Sequence, residues 1–185
     1  MSMSELTVLL EGTRRGDRGA RDALMAAAYQ ELRQMAHKAT RNEASPGALQ
    51  PTALVNEAWL RLFGGMTDYE HRRHFYGAAA QAMRRLLVDR ERVRRAQKRD
   101  AGRGKLSLSD VAVEAPARVD IEVLELERAL SELEVFQPRL ARVLELRCFA
   151  GLGIDETAVA LGVAPATVKR DWAYARTWLL DRMKN

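Results

Sequence analysis

The stretch from Ile154 to Leu179 reads IDETAVALGVAPATVKRDWAYARTWL and carries the pattern of a helix-turn-helix. A short helix over Glu156–Leu161 ends at Gly162, and a second opens at Ala164-Pro165. Glycine accepts the positive φ of a tight turn because it has no Cβ to clash. Proline suits a first helical position, where its missing N–H is no loss. Ala158 is small where a second helix must cross close by. In that second helix Val168, Trp172, Ala175 and Leu179 recur at i, i+4, i+7 and i+11, the spacing of one buried stripe. The opposite face then carries Thr167, Lys169, Arg170, Asp171 and Tyr174. A polar, cationic helix face held by such a turn is what major-groove reading requires. An ordinary αα-hairpin uses the same turn chemistry, but the coincidence of turn, stripe and cationic face favours DNA.

Working outward, charge is the next signal. The chain has 185 residues and a formal charge of +5, a length that fits one medium domain or two small ones. Its charge is unevenly placed. From Arg72 to Lys105 there are twelve lysines and arginines against three acids, a net of +9, whereas Leu106 to Val135 has two against eight, a net of −6. A basic block of this kind suits an extended polyanion. Cys148 is the single cysteine, which excludes an internal disulfide and a cysteine-rich zinc site. The N-terminus lacks a signal-peptide layout, and no apolar run is long enough for a membrane span, so a cytoplasmic protein without membrane insertion is expected.

Helical spacing runs through most of the chain. Ser4 is placed to cap a first helix to about Arg15, Gly16 to break it, and Asp17 to cap a second helix to about Thr40. Residues 42–49 are turn-rich. Thr52 is placed to cap a helix ending at Gly64-Gly65, with Leu54, Val55, Ala58, Trp59 and Leu62 inward. The longest helix is expected from about His71 to Arg99, its first half packed and its second half, DRERVRRAQKRD, a solvated basic end. Residues 105–120 read as a linker, with an edge strand as the minor alternative. Helices resume over Ile121–Leu133 and Pro138–Phe149. The fold class is therefore all-α: two small helical domains, 1–100 and 122–185, joined by a flexible acidic linker over 101–121.

Three segments in this order carry a resemblance. ALVNEAWLRLF (Ala53 to Phe63), HFYGAAAQAMRRLLVDRERVRR (His74 to Arg95) and ATVKRDWAYARTWL (Ala166 to Leu179) resemble the extracytoplasmic-function class of bacterial sigma factors, in the sigma-70 family. The resemblance implies, in turn, a helix docking on the core RNA polymerase clamp, a helix that melts and reads the minus-ten element, and a minus-thirty-five recognition helix. It covers essentially the whole chain. The match departs from the family at Gln50-Pro51-Thr52, where an acidic dipeptide is usual, and at Arg84-Arg85, where Arg-Asn is common. It departs again at Val168-Lys169-Arg170-Asp171, where Val-Lys-Ser-Arg is common.

The implied partners are core RNA polymerase and promoter DNA, with an anti-sigma factor left open; no cofactor, metal or enzymatic activity is implied. Polymerase contact falls to Asn56, Glu57 and Arg61. Minus-ten contact falls to Tyr69, His71, Arg72, Arg84, Arg85, Arg92 and Arg95, with Phe75 and Tyr76 as further stacking groups, although core packing competes for Phe75. Minus-thirty-five contact falls to Thr167, Lys169, Arg170, Tyr174 and Arg176, with Arg170 best suited to a bidentate guanine contact. Asp89 is better read in an internal salt bridge to a neighbouring arginine than facing DNA, and Asp171 in a local ion pair rather than accepting from a cytosine amine. In the tether, Asp110, Glu114, Asp120 and Glu122 suit a path along a channel that holds an anionic transcript, or a plain solvated spacer. A metal face from Glu70, His71 and His74 lacks a second motif to complete it, and no phosphate-binding loop or nucleophile elbow is present. The competing function is a helix-turn-helix regulator that binds duplex DNA without polymerase.

Overall fold

The structure, a computed structural model, describes residues 3–40, 50–63, 72–97, 105–107 and 120–183. Among them are eight helices and one short ladder. The helices are α1 (Met3–Arg14), α2 (Arg18–Thr40), α3 (Pro51–Phe63), α4 (Arg72–Gln97), α5 (Val123–Phe136), α6 (Pro138–Cys148), α7 (Ile154–Leu161) and α8 (Pro165–Arg182). The ladder pairs β1 (Lys105–Ser107) with β2 (Asp120–Glu122), antiparallel, with Leu106 opposite Ile121. The all-α reading holds, and the ladder is the minor alternative for part of the linker. The rest of that linker, 101–104 and 108–119, lies outside the described residues, as do the 42–49 turn region and the Met66–Glu70 loop. Among the described residues no helix is long and apolar enough to cross a membrane.

Local chemistry sets most boundaries. Gly16 adopts φ +81°, and the Asp17 carboxylate accepts from the N–H groups of Gly19 and Ala20 at 2.8 and 3.2 Å, capping α2. Thr52 does not cap α3: the helix starts one residue earlier, at Pro51, and the Gln50 carbonyl accepts from Ala53 and Leu54. Proline fits there because a first helical residue has no intrahelical use for its N–H. Helix α6 likewise opens on Pro138, leaving Gln137 alone between α5 and α6. That corner exposes Val135 and Phe136.

The buried side chains form one connected core across both halves of the chain, from Leu10 and Leu32 through Met83 and Leu87 to Leu130, Leu144 and Leu179. Helix α4 is the shared wall. It packs on α3 on one side and on α5, α6 and α7 on the other. The second half of α4 is also less solvated than its composition suggests. Glu91 is buried, with Arg94 and Arg95 folded onto it at 2.8 and 3.1 Å, and Arg95 reaches Glu122 of β2 at 2.7 Å. A buried carboxylate needs such partners, because an unpaired charge out of water is strongly unfavourable.

Candidate nucleic-acid interface

The turn between α7 and α8 is a Schellman arrangement. Gly162 sits at φ +69°, its N–H donates to the Val159 carbonyl at 3.3 Å, and the Val163 N–H donates to the Ala158 carbonyl at 3.0 Å. At the other end of α7, Glu156 reaches back to accept from the Gly153 N–H at 2.6 Å, where a carboxylate also suits the helix dipole. Val168, Trp172, Ala175 and Leu179 are all buried, so the roll of α8 is fixed by its apolar stripe. Arg147 of α6 lies over the Trp172 ring, 4.4 Å from its centroid.

That roll leaves Lys169, Arg170 and Tyr174 outward, the tyrosine 60 % exposed. Thr167 is half-buried at their edge, and Arg176 is half-buried with its Nε withdrawn from solvent. Asp171 is not on the outward face expected for it: at i+3 from Val168 and i−4 from Ala175 it falls beside the buried stripe. It is buried, and Arg139 of α6 binds it through Nε and Nη2 at 2.7 and 3.2 Å. The ion pair read as local for this aspartate is made instead to a neighbouring helix. Near the end of α8, Arg182 pairs with Glu132 at 2.9 Å.

The arginines of α4 divide by environment. Arg85, Arg90 and Arg92 are exposed. Arg92 lies 3.7 Å from Asp89, which Arg61 of α3 also approaches at 3.4 Å, so Asp89 is internally paired. Arg84 is enclosed. Its Nε donates to Glu127 at 2.6 Å, its Nη1 to Glu134 at 3.1 Å and Glu145 at 3.4 Å, and its Nη2 to Ser131 at 3.3 Å. Burial by itself disfavours the guanidinium charge, but the hydrogen bond and charge of Glu127, then those of Glu134, outweigh it and hold the pKa above that of a free arginine. Arg84 and Arg85 are thus adjacent in sequence and opposite in setting.

Tyr69 and His71, with Glu70, lie outside the described residues, and Arg72 is the first residue of α4. Phe75 and Tyr76 are core residues, not exposed stacking groups. Tyr76 donates its hydroxyl to Glu31 at 3.0 Å. With Tyr29, Trp59 and Phe63 they form a run of ring contacts, successive centroids 4.3 to 6.4 Å apart, that ties α2, α3 and the start of α4 together. Ring pairs at these distances add about 0.5–1.5 kcal/mol each beyond their buried area.

On α3, Asn56, Glu57 and Arg61 are exposed on one side, and the Asn56 amide oxygen accepts from Tyr29 at 3.1 Å. Leu60 stands among them 68 % exposed. Sequence reasoning missed it, and its signal was an apolar residue directly after the inward Trp59. The acid cage around Arg84 was missed as well, although Glu127, Ser131 and Glu134 share one face at i, i+4 and i+7.

Compared with known families, residues 3–185 match the family model described as ECF sigma factor. No curated protein matches the chain.

Proposed function

The chain belongs to the ECF sigma factor family, and from that premise we propose that it directs promoter-specific initiation through two DNA grips and one polymerase grip. Members of this family are RNA polymerase sigma factors, which bind core polymerase and promoter DNA, often have anti-sigma partners, and are regulators rather than enzymes. The observation that carries the finer reading is the outward face of α8. Lys169, Arg170 and Tyr174 project from a helix whose roll is fixed by its buried stripe and by the Arg139–Asp171 pair. Such a face enters a major groove with Arg170 placed for a guanine edge and Thr167 and Arg176 at its margins.

The minus-ten grip is assigned to the start of α4 and the loop before it, with Tyr69, His71 and Arg72 at bases and Arg85 and Arg92 at phosphates. Arg95, held by Glu91 and Glu122, contributes charge at longer range. Arg84 joins this grip only when its acids release it. The first half, 1–100, holds the polymerase and minus-ten surfaces, and 122–185 holds the minus-thirty-five surface. Polymerase docking is assigned to Asn56, Glu57 and Arg61 with Leu60 at their centre, because an exposed leucine ringed by polar groups is the makeup of an interface centre and rim. The stand-alone regulator is not favoured by the family match.

Retention of labelled promoter duplex by the pure chain, with and without core polymerase, tests the reading. The expected result is sequence-selective retention only when core is present. Tight, selective binding by the chain alone would transfer the assignment to a stand-alone regulator.

A further inference from the structure

We propose that Arg139 of α6 is a further DNA contact: a guanidinium that Asp171 orients towards a phosphate beside the base read by Arg170. The inference rests on the minus-thirty-five reading of α8 given above, and it adds a residue from outside the helix-turn-helix.

Placement is the first argument. Arg139 belongs to the first turn of α6, yet its side chain ends on α8. Its Nη2 lies 3.2 Å from Oδ1 of Asp171, and the Nε of Arg170 lies 3.9 Å from the same oxygen. The two guanidinium groups therefore flank one carboxylate and stand side by side at the margin of the outward face. Both project, with side chains 58 % and 74 % exposed, whereas that of Asp171 is 5 % exposed. An anion approaching this face meets the cations before the carboxylate beneath them. Two cations on one carboxylate also leave the group net positive.

Donor geometry is the second argument. Arg139 commits its Nε and one Nη2 hydrogen to Asp171, which occupies one edge of its planar fork. The Nη1 hydrogens and the other Nη2 hydrogen have no partner among the described residues. That remaining edge is the one arginine uses to hold two oxygens of a phosphate at once. Arg84 is the opposite case, with Nε, Nη1 and Nη2 all engaged by α5. The Asp171 bond also orders the long Arg139 side chain on folding, so that less freedom is lost when DNA arrives.

Groove dimensions fix what Arg139 touches. A recognition helix fills a major groove about 12 Å wide, whose walls are the phosphate backbones. A cation carried beside that helix by a neighbouring one meets a wall and not a base edge. Arg139 thus supplies affinity and register without sequence choice, and Arg170 supplies the choice.

The test uses the full chain bound to core polymerase. Its probe is a fluorescent duplex selected from a genomic library by retention on that complex. Affinity is measured between about 50 and 200 mM salt, and again with single neutral methylphosphonates placed along both strands of the minus-thirty-five element. Arg139→Gln removes the charge and keeps an amide donor for Asp171. Arg139→Ala/Asp171→Asn leaves no unpaired carboxylate and no change in net charge, so it serves even if the first variant does not fold. Arg182→Gln, whose arginine pairs with Glu132 near the far end of α8, is the control.

Both Arg139 variants are expected to lower the slope of log affinity against log salt by about 0.9, with base preferences unchanged and the control at the wild-type slope. One methylphosphonate that weakens the wild type severalfold is expected to have no further effect on either variant. An unchanged slope in both variants, an equal fall in the control, or full retention of the wild-type methylphosphonate pattern overturns the proposal. So does a loss of base preference equal to that of Arg170→Ala, which would make Arg139 only a support for its neighbour. Wild type that binds native and scrambled elements alike contradicts the minus-thirty-five reading, and this inference falls with it. Selective wild type with unaffected Arg139 variants contradicts the inference alone.

Discussion

Arg139, at the start of α6, holds the buried carboxylate of Asp171 on α8 through two hydrogen bonds of 2.7 and 3.2 Å. This pair adds a directional contact to the roll of α8 that the apolar stripe sets. Arg139 is 58 % exposed, so solvent screens its half of the interaction. A double-mutant cycle with Arg139→Ala and Asp171→Asn is expected to give a coupling of about 1–2 kcal/mol by urea unfolding, between the values for exposed and fully buried pairs. A coupling near zero would mean that the pair does not hold the helix.

Arg170, next in the chain, is 74 % exposed and only loosely near Asp171, at 3.9 Å. Its guanidinium is therefore available. Arg170→Ala is expected to cost about 1–3 kcal/mol in discrimination at one base pair, measured by competition with minus-thirty-five variants in the polymerase-bound state. An equal loss across all sequences would assign the arginine to phosphate.

Salt dependence separates the arginines of α4. Arg85 and Arg92 are exposed, whereas Arg94 and Arg95 are bound to Glu91. Replacing Arg85 and Arg92 by alanine is expected to lower the slope of log affinity against log salt by about 0.9 for each phosphate left without its cation. Replacing Arg94 should change the slope little and stability more, because Glu91 loses a partner. The reverse pattern would place Arg94 at the phosphates.

Much of this was legible in the sequence, and what was not has a common physical cause. Helix existence followed from apolar spacing and from stops such as Gly16 and Gly162, which act locally. The polar face of α8 followed from the same spacing, so Lys169, Arg170 and Tyr174 emerge exposed as expected. Asp171, Glu91 and Arg84 did not follow. Each is a charged residue that helical spacing puts beside a buried stripe, near Val168 and Ala175, Leu87 and Val88, and Ala80 and Leu87 respectively. The partners could not be read from spacing: Arg139 for Asp171, Arg94 and Arg95 of the same helix for Glu91, and Glu127 with Glu145 for Arg84. A basic block at 72–105 and an acidic block at 106–135 looked like one surface for DNA and a separate tether. Part of each block is spent on the other. Phe75 and Tyr76 were similarly ambiguous, because an aromatic pair at a helix start serves core and base stacking equally well until the neighbours are known.

Cys148 gives a pH prediction. Burial pushes its thiol up from 9.0 to about 12, against the opposing pull of the Arg147 charge. The folded state thus favours the neutral thiol. The resulting stability is complete below the unfolded value of 9.0 and is lost as pH rises through the interval towards 12. Because lysines and tyrosines also titrate there, the readout is the difference between wild type and Cys148→Ala in urea unfolding. That difference is expected to be flat below pH 9.0 and to shift against wild type above it. A difference that stays flat through the interval would mean that the thiol is not held neutral by the fold.

Run-off transcription with purified core polymerase on a genomic promoter library bears most directly on the central claim. Discrete transcripts are expected from a small set of promoters sharing minus-ten and minus-thirty-five elements, all dependent on addition of this chain. A library giving the same transcripts with and without the chain, or none at all, would contradict it.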